Sequence, residues 1–303
     1  MPEHLSQEPK TARTASPLRY PGGKSCMYGI ASLILRTNKL ERGAYAEPYA
    51  GGCGLALSLL FGGHVSDIYL NDLDPSIYAF WRSVLDHTKD LAKLIETTPV
   101  TIDEWERQKS IHQEANLSDP VSLGFATFFL NRTNRSGVIK GAGMIGGISQ
   151  TGPYKIDCRF NHDDLLRRIK RVAKYRSRIY FSNLDAIPFM KKMSKALPLK
   201  SFFCIDPPYY DKGSKLYTNF YGPEEHKDVA DQILSLSHPW IVTYDSAEEI
   251  RKLYTSKRQY LFDINYSLQT KRVGRELLIA SKGLRIPNAL KDNQAVPLPR
   301  RAA

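Results

Sequence analysis

Apolar runs rich in β-branched and aromatic residues recur along this chain, and stretches of helical period separate most of them. Seven runs read as strands: Ala44–Pro48, Asp67–Asn71, Arg178–Ser182, Ser201–Ile205, Trp240–Tyr244, Gln259–Asn265 and Glu276–Ala280. The helical patterns cover Met27–Leu35, Leu55–Leu60, Pro75–His87, Asp163–Tyr175 and Glu224–Leu236. Strands that alternate with helices restrict the chain to a doubly wound α/β sheet covered on both faces. Only Ser267–Arg275 separates the last two strands, too little for a helical crossover, so they are expected to pair antiparallel.

The alternation is interrupted between about Leu91 and Asn161. Helical segments are expected there around Ile102–Gln113 and Val121–Asn131, followed by the glycine-rich stretch Gly137–Gly152. That much glycine cannot hold a packed helix, but it suits a hairpin or loop whose backbone approaches a ligand. The expected organisation is a disordered tail over 1–16, an α/β domain in two pieces, 17–90 and 162–284, an insert over 91–161 and a C-terminal tail over 285–303.

The formal net charge is +12 over 303 residues. Its basic residues cluster: Arg167, Arg168, Lys170 and Arg171; Lys191, Lys192 and Lys195; Lys271, Arg272 and Arg275; Arg132, Arg135 and Lys140. Clustering of this kind favours a polyanionic partner, nucleic acid before all others. Some clusters will be the solvated faces of helices. The four cysteines are scattered and the seven histidines form no ligand spacing, so no protein-held metal and no disulfide framework is expected. No stretch is long and apolar enough to span a bilayer, and Met1–Ser16 lacks the apolar core of a signal peptide.

Three motifs carry chemistry. Tyr20-Pro-Gly-Gly-Lys24 precedes Ser25 and invites a phosphate-loop reading, but the glycine such a loop needs is Leu18 here. A turn that faces Tyr20 and Lys24 to a small ligand remains. Glu47-Pro48-Tyr-Ala-Gly51-Gly52 follows the first strand, and Asp72 ends the second, 20 residues past Gly52, where a carboxylate meets ribose hydroxyls in nucleoside-binding α/β folds. An acid at Glu47 suits a cationic ligand end and no pyrophosphate, and S-adenosylmethionine fits. Asp206-Pro207-Pro208-Tyr209 closes the fourth strand. A carboxylate and a proline carbonyl can accept hydrogen bonds from an exocyclic amine, and the tyrosine offers a stacking face. That set suits methyl transfer to a base nitrogen.

Together these strings resemble the Dam-type (D12 class) DNA adenine-N6 methyltransferases in the α-group motif order. Phe128-Phe-Leu-Asn131-Arg132 and Asn183-Leu-Asp185 also match, and the resemblance runs from about Leu18 to Ala280. It implies a Rossmann-like fold with a seven-stranded mixed sheet, its last strand antiparallel, plus a helical and hairpin insert for target recognition. It also implies that Tyr20, Lys24, Glu47, Pro48, Gly51, Asp72, Asp185 and Asp206 contact S-adenosylmethionine. Asp206, Pro207, Pro208 and Tyr209 would carry catalysis. Asn131, Arg132, Asn134, Arg135, Lys140, Lys271 and Arg272 are expected to meet DNA, as base readers or phosphate anchors. The segment after Arg132 departs from GATC-methylating relatives: it reads Asn-Arg-Ser-Gly-Val-Ile-Lys over 134–140.

The expected reaction is in-line methyl transfer to adenine N6 of a base flipped from duplex DNA. Asp206 and the Pro207 carbonyl would hold the amino group, an aspartate being a weak base for proton abstraction. The setting implied is a prokaryotic or phage cytoplasm, a monomer or weak dimer, and a restriction endonuclease or other defence component as companion. The rivals are RNA adenine-N6 methylation and an inactive module that binds DNA or S-adenosylmethionine. Cytosine-C5 chemistry is disfavoured because no Pro-Cys pair occurs.

Overall fold

The computed structural model describes residues 15–20, 22–210, 221–266 and 272–287, with the backbone alone for 263–266 and 272–275. Most of both expected tails, Lys271 and the Arg272 side chain lie outside the described residues. Near the tails, Ala15 is buried, and the Arg285 amide donates to Asn38 Oδ1 at 2.7 Å. Packed chain therefore reaches past the expected boundaries at both ends.

The strands are β1 Ala44–Glu47, β2 Asp67–Asn71, β3 Ile179–Ser182, β4 Phe202–Ile205, β5 Trp240–Asp245, β6 Arg258–Tyr266 and β7 Arg272–Ala280. They form one mixed sheet in the order β3-β2-β1-β4-β5-β7-β6. Strands β1 to β5 pair in parallel, and β7 lies antiparallel between β5 and β6. This is the expected Rossmann-like architecture. Strand β7 begins four residues before the expected Glu276, because the β6–β7 ladder continues to Tyr266 opposite Arg272.

Every residue of β4 and β5 is buried, as befits central strands covered on both faces. Successive side chains enter opposite cores. Phe202 and Cys204 join one cluster, while Phe203 and Ile205 join the other. The first core is closed by α1 Tyr28–Thr37, α2 Gly54–Phe61, α3 Pro75–Asp86, α4 Thr88–Thr97, α5 Ile102–Glu114, α6 Pro120–Thr133 and α7 His162–Ala173. The second is closed by α8 Ala186–Ala196, α9 Pro223–Leu234 and α10 Glu248–Leu253. Helix α7 shows the logic. Asn161 caps it by accepting from the Asp164 amide at 2.9 Å, and Leu165, Leu166, Ile169 and Val172 are its buried stripe. Each such apolar side chain stabilises by about 1.5–3 kcal/mol.

The segment 91–161 shares the first core. Phe80 of α3 stacks on Phe128 of α6 with ring centroids 5.7 Å apart. The expected hairpin is not formed: among the described residues of this stretch only one bridge, Asn134 with Met144, joins its ends. Positive φ at Gly141, Gly146 and Gly147 turns the chain repeatedly, so no extended ladder can propagate.

Candidate active site

The sheet order places β1 beside β2 on one side and β4 on the other, so chain connections leave the carboxyl ends of β1 and β4 in opposite directions. Ligands of open α/β sheets bind in the crevice at such a point. Glu47 ends β1 and Asp206 follows β4, so both motifs open into that crevice. The Asn71 side chain secures its floor. It donates to the carbonyls of Pro48 at 3.1 Å and Leu184 at 2.9 Å, and it accepts from the Leu184 amide.

The glycine turn after Glu47 is built around Tyr20. A Cβ on Gly51 would lie 2.6 Å from Tyr20 Cε1, and one on Gly52 would lie 2.6 Å from Tyr20 Cβ. Gly51 also has φ +46, in the left-handed region. Its amide donates to Asp72 Oδ2 at 2.8 Å, its carbonyl accepts from Trp81 Nε1 at 2.9 Å, and the Asp74 amide donates to Asp72 Oδ1 at 2.9 Å. Asp72 is thereby fixed at the rim of the turn. Burial pushes its carboxyl up to about 6, against the pull of those two amides.

At the other side of the crevice the ends of β5 and β7 clamp the loop after β4. Thr243 donates to Asp206 Oδ1 at 2.7 Å, and Asp245 Oδ1 accepts from the Tyr210 amide at 3.0 Å. Glu276 stands opposite Asp245 in the ladder and accepts a short hydrogen bond from the Tyr209 hydroxyl. Lys24 reaches into the same cluster, 3.0 Å from Asp206 Oδ1 and 2.8 Å from the Tyr209 hydroxyl. Among the described residues, Asp206 Oδ2 has no hydrogen-bond partner, so one edge of the carboxylate is fixed and the other is open.

A cavity of about 380 Å³ joins the two halves, within the usual range for cofactor sites, roughly 300–1,000 Å³. Tyr20, Lys24, Glu47, Gly51, Asp72 and Asp206 all line it. Glu47 is buried and accepts from the Tyr45 hydroxyl at 2.6 Å. Burial raises its carboxyl to about 8, with the Tyr45 hydrogen bond opposing and the Asp206 charge adding. The walls include Ile77, Val138 and Ile139. Two acids at one end, a third at the glycine turn and apolar walls between suit a nucleoside with a cationic substituent, so the donor set fits S-adenosylmethionine.

Several expected residues are placed elsewhere. Pro207 and Tyr209 are buried and do not line the cavity, although Pro208 does. In this arrangement Tyr209 anchors through its hydroxyl in place of the stacking face expected of it. Pro48 also stays behind the wall, contributing its carbonyl to Asn71. Asp185 is exposed and caps α8 through the Ile187 amide at 3.0 Å. Its charge reaches Tyr49 and Tyr221, and these two line the cavity with hydroxyls 3.3 Å apart.

Three residues expected to read DNA are internal struts. Asn131 accepts from the Arg19 amide and donates to the carbonyls of Arg19 and Gly137. Asn134 accepts from Trp105 Nε1 at 2.6 Å and donates to Val138 and Ile139. Arg132, 8% exposed, donates to the Arg159 carbonyl, and burial beside Arg19 and Arg168 lowers its guanidinium to about 9. Polar side chains at the end of an otherwise apolar helix look like surface readers in sequence, yet here they close the loop from inside. Arg135 and Lys140 are exposed. Lys140 lines the cavity mouth and pairs with Asp74 at 3.1 Å.

Sequence reasoning missed Glu276, Thr243, Tyr49 and Tyr221. For Glu276 the signal was an acid opening the apolar run Leu-Leu-Ile-Ala. Only the antiparallel direction of β7 brings that end to the site. Among the described residues no cluster of His, Cys, Asp or Glu is placed to hold a metal, and no helix is long and apolar enough to cross a membrane.

The chain matches the family of D12 class N6 adenine-specific DNA methyltransferases over residues 20–270. No match was found among curated proteins. Solved structures with similar coordinates include a candidate RNA methyltransferase from Pyrococcus horikoshii, at 9% identity and TM-score 0.39 with 90% of each chain covered. The protein LPL1258 from Legionella pneumophila is similar at 12% identity and TM-score 0.34, covering 88% of this chain and 87% of that one. A candidate class I S-adenosylmethionine-dependent methyltransferase from Listeria monocytogenes has 11% identity and TM-score 0.31, covering 85% and 62%.

Proposed function

Since the chain belongs to the D12 class N6 adenine-specific DNA methyltransferases, we propose that it methylates adenine N6 in duplex DNA, with S-adenosylmethionine as donor and the target base flipped out. The observation that carries this reading is Asp206. It sits at the switch-point cavity with Oδ1 fixed by Thr243 and Lys24 and with Oδ2 open.

Bound S-adenosylmethionine supplies an electrophilic methyl on its sulfonium. Asp72 would hold the ribose hydroxyls, and Tyr20 with the Gly51–Gly52 turn would form the bed beneath the nucleoside. Glu47 would face the cationic end. Asp206 would accept an N6–H bond, which orients the nitrogen lone pair toward the methyl. Methyl transfer would form the N6–C bond as the S–C bond breaks, and Asp206 would face the positive charge that develops on N6. Its hydrogen bond therefore strengthens most in the transition state, as catalysis requires. The N6 proton then leaves to water.

Duplex DNA is favoured by the net charge of +12, by exposed Lys140 at the cavity and by exposed Arg135. An adenine inside a helix cannot reach a cavity of this kind, so flipping is required. The test is transfer of tritiated methyl from S-adenosylmethionine to unmethylated duplex DNA and, in parallel, to single-stranded RNA. Label in DNA N6-methyladenine is expected. Label confined to RNA, or to neither, would overturn the proposal.

A further inference from the structure

One cation is shared by two carboxylates at the cavity wall. Lys24 Nζ lies 3.0 Å from Asp206 Oδ1 and 3.4 Å from Glu276 Oε1, and the Tyr209 hydroxyl bridges Lys24 and Glu276. Glu276 is 1% exposed and Lys24 7%. A buried carboxylate that serves only packing is a poor choice, because an apolar residue of similar volume is often as stabilising or more so. No step proposed for Asp206 uses Glu276, yet the antiparallel β7 delivers it to the carboxyl edge of the sheet opposite Asp245.

We infer that Glu276 is a positioning residue for methyl transfer: when ionised it shares the Lys24 ammonium with Asp206, so that Asp206 keeps net negative charge to accept the adenine amino group. The inference rests on the reading of Asp206 as the N6 acceptor. With Glu276 protonated, Lys24 neutralises Asp206 alone, and the three groups sum to zero charge. With Glu276 ionised they sum to one negative charge, facing the nitrogen on which positive charge develops.

The groups around Glu276 set its ionisation. Burial raises its carboxyl above the ordinary range and Lys24 opposes, so its ionisation falls closer to neutrality than that of an exposed glutamate. From the first turn, Lys24 and Cys26 face it; from the loop after β4, Asp206 and Tyr209; from β5, Asp245. Glu47 and Cys204 act on Asp206 from β1 and β4. Both thiols are pushed up by burial and stay neutral in the working range.

The experiment measures kcat and KM against pH, with saturating tritiated S-adenosylmethionine and genomic DNA from a methylation-free host. The chains compared are the parent, E276Q, E276D, K24M and the K24M/E276Q double variant. E276Q should lower kcat by about 10- to 100-fold, the range for losing one charged partner. It should also leave KM for S-adenosylmethionine unchanged and remove the rise of kcat with pH. E276D should restore part of kcat, and E276Q should have little further effect once Lys24 is gone. Tyr209→Phe cuts the hydroxyl link while keeping every charge, so it should keep the rise with pH even if E276Q does not fold. A folded E276Q with parental kcat and pH profile overturns the inference. So does a kcat loss matched by lower melting temperature with no rescue by E276D, or loss of the pH rise in Tyr209→Phe. No transfer to DNA by the parent chain would overturn the Asp206 reading itself, and this inference with it.

Discussion

Replacing Glu47 by glutamine should make the protein more tolerant of neutral and mildly alkaline pH, because the buried carboxyl is stable only while protonated. Burial lifts it from an ordinary 4.5 to about 8, and each unit of displacement corresponds to about 1.4 kcal/mol. Between these two values the unfolded chain has lost its proton while the native chain keeps it. Native stability therefore falls as pH rises across that window, by about 5 kcal/mol in all. From pH 5 to pH 7.5 the parent should lose about 3 kcal/mol relative to Glu47→Gln. The amide oxygen of glutamine can still accept from the Tyr45 hydroxyl, 2.6 Å away in the parent, so packing is preserved. Asp72 also titrates inside the fold but is common to both chains and cancels in the comparison. The assay is urea denaturation at half-unit pH steps for both chains, read as the difference in unfolding free energy. Parallel profiles would refute the claim that Glu47 is held protonated in the fold.

Other consequences follow from the same geometry. Binding of S-adenosylmethionine near pH 7 should release a proton from Glu47, seen as a binding enthalpy that varies with buffer ionisation and ceases to vary in Glu47→Gln. Gly51→Ala would place a Cβ 2.6 Å from the Tyr20 ring at φ +46. It should raise KM for S-adenosylmethionine about tenfold or more as Tyr20 is displaced, with far-ultraviolet circular dichroism unchanged. Asn131→Ala strips three hydrogen bonds to Arg19 and Gly137 and should cost about 3 kcal/mol in thermal or urea unfolding. Arg135→Ala should leave stability alone, weaken DNA binding and lower the salt dependence of that binding by about one phosphate contact.

Most of the fold was legible because its signals are local. The buried runs Phe202–Ile205 and Trp240–Asp245 can only be central strands, and the short link after Tyr266 forces the last pair antiparallel. Helix α8 was missed, since its pattern follows the Asp185 cap so closely that the motif reading absorbed it. Within the site, Tyr20, Lys24, Glu47, Gly51, Asp72 and Asp206 could be named because strand ends and glycine turns mark positions that face a crevice. What sequence could not show is which polar side chains turn inward. Asn131, Arg132 and Asn134 satisfy backbone groups of a glycine-rich loop that has no ladder of its own, and such pairing is set by tertiary contacts. Glu276 was hidden for the converse reason, its partners lying 252 residues away at Lys24 and 67 away at Tyr209.

The central claim is that the open edge of Asp206 directs methyl transfer to adenine N6 in DNA. Its most direct test is to express the chain and Asp206→Ala separately in a host free of DNA methylation, and to map N6-methyladenine by single-molecule sequencing. The account predicts modified adenines at a defined sequence in cells carrying the parent chain and none above background with Asp206→Ala, at equal levels of folded protein. Modification that persists in Asp206→Ala, or its absence with the folded parent chain, would contradict it.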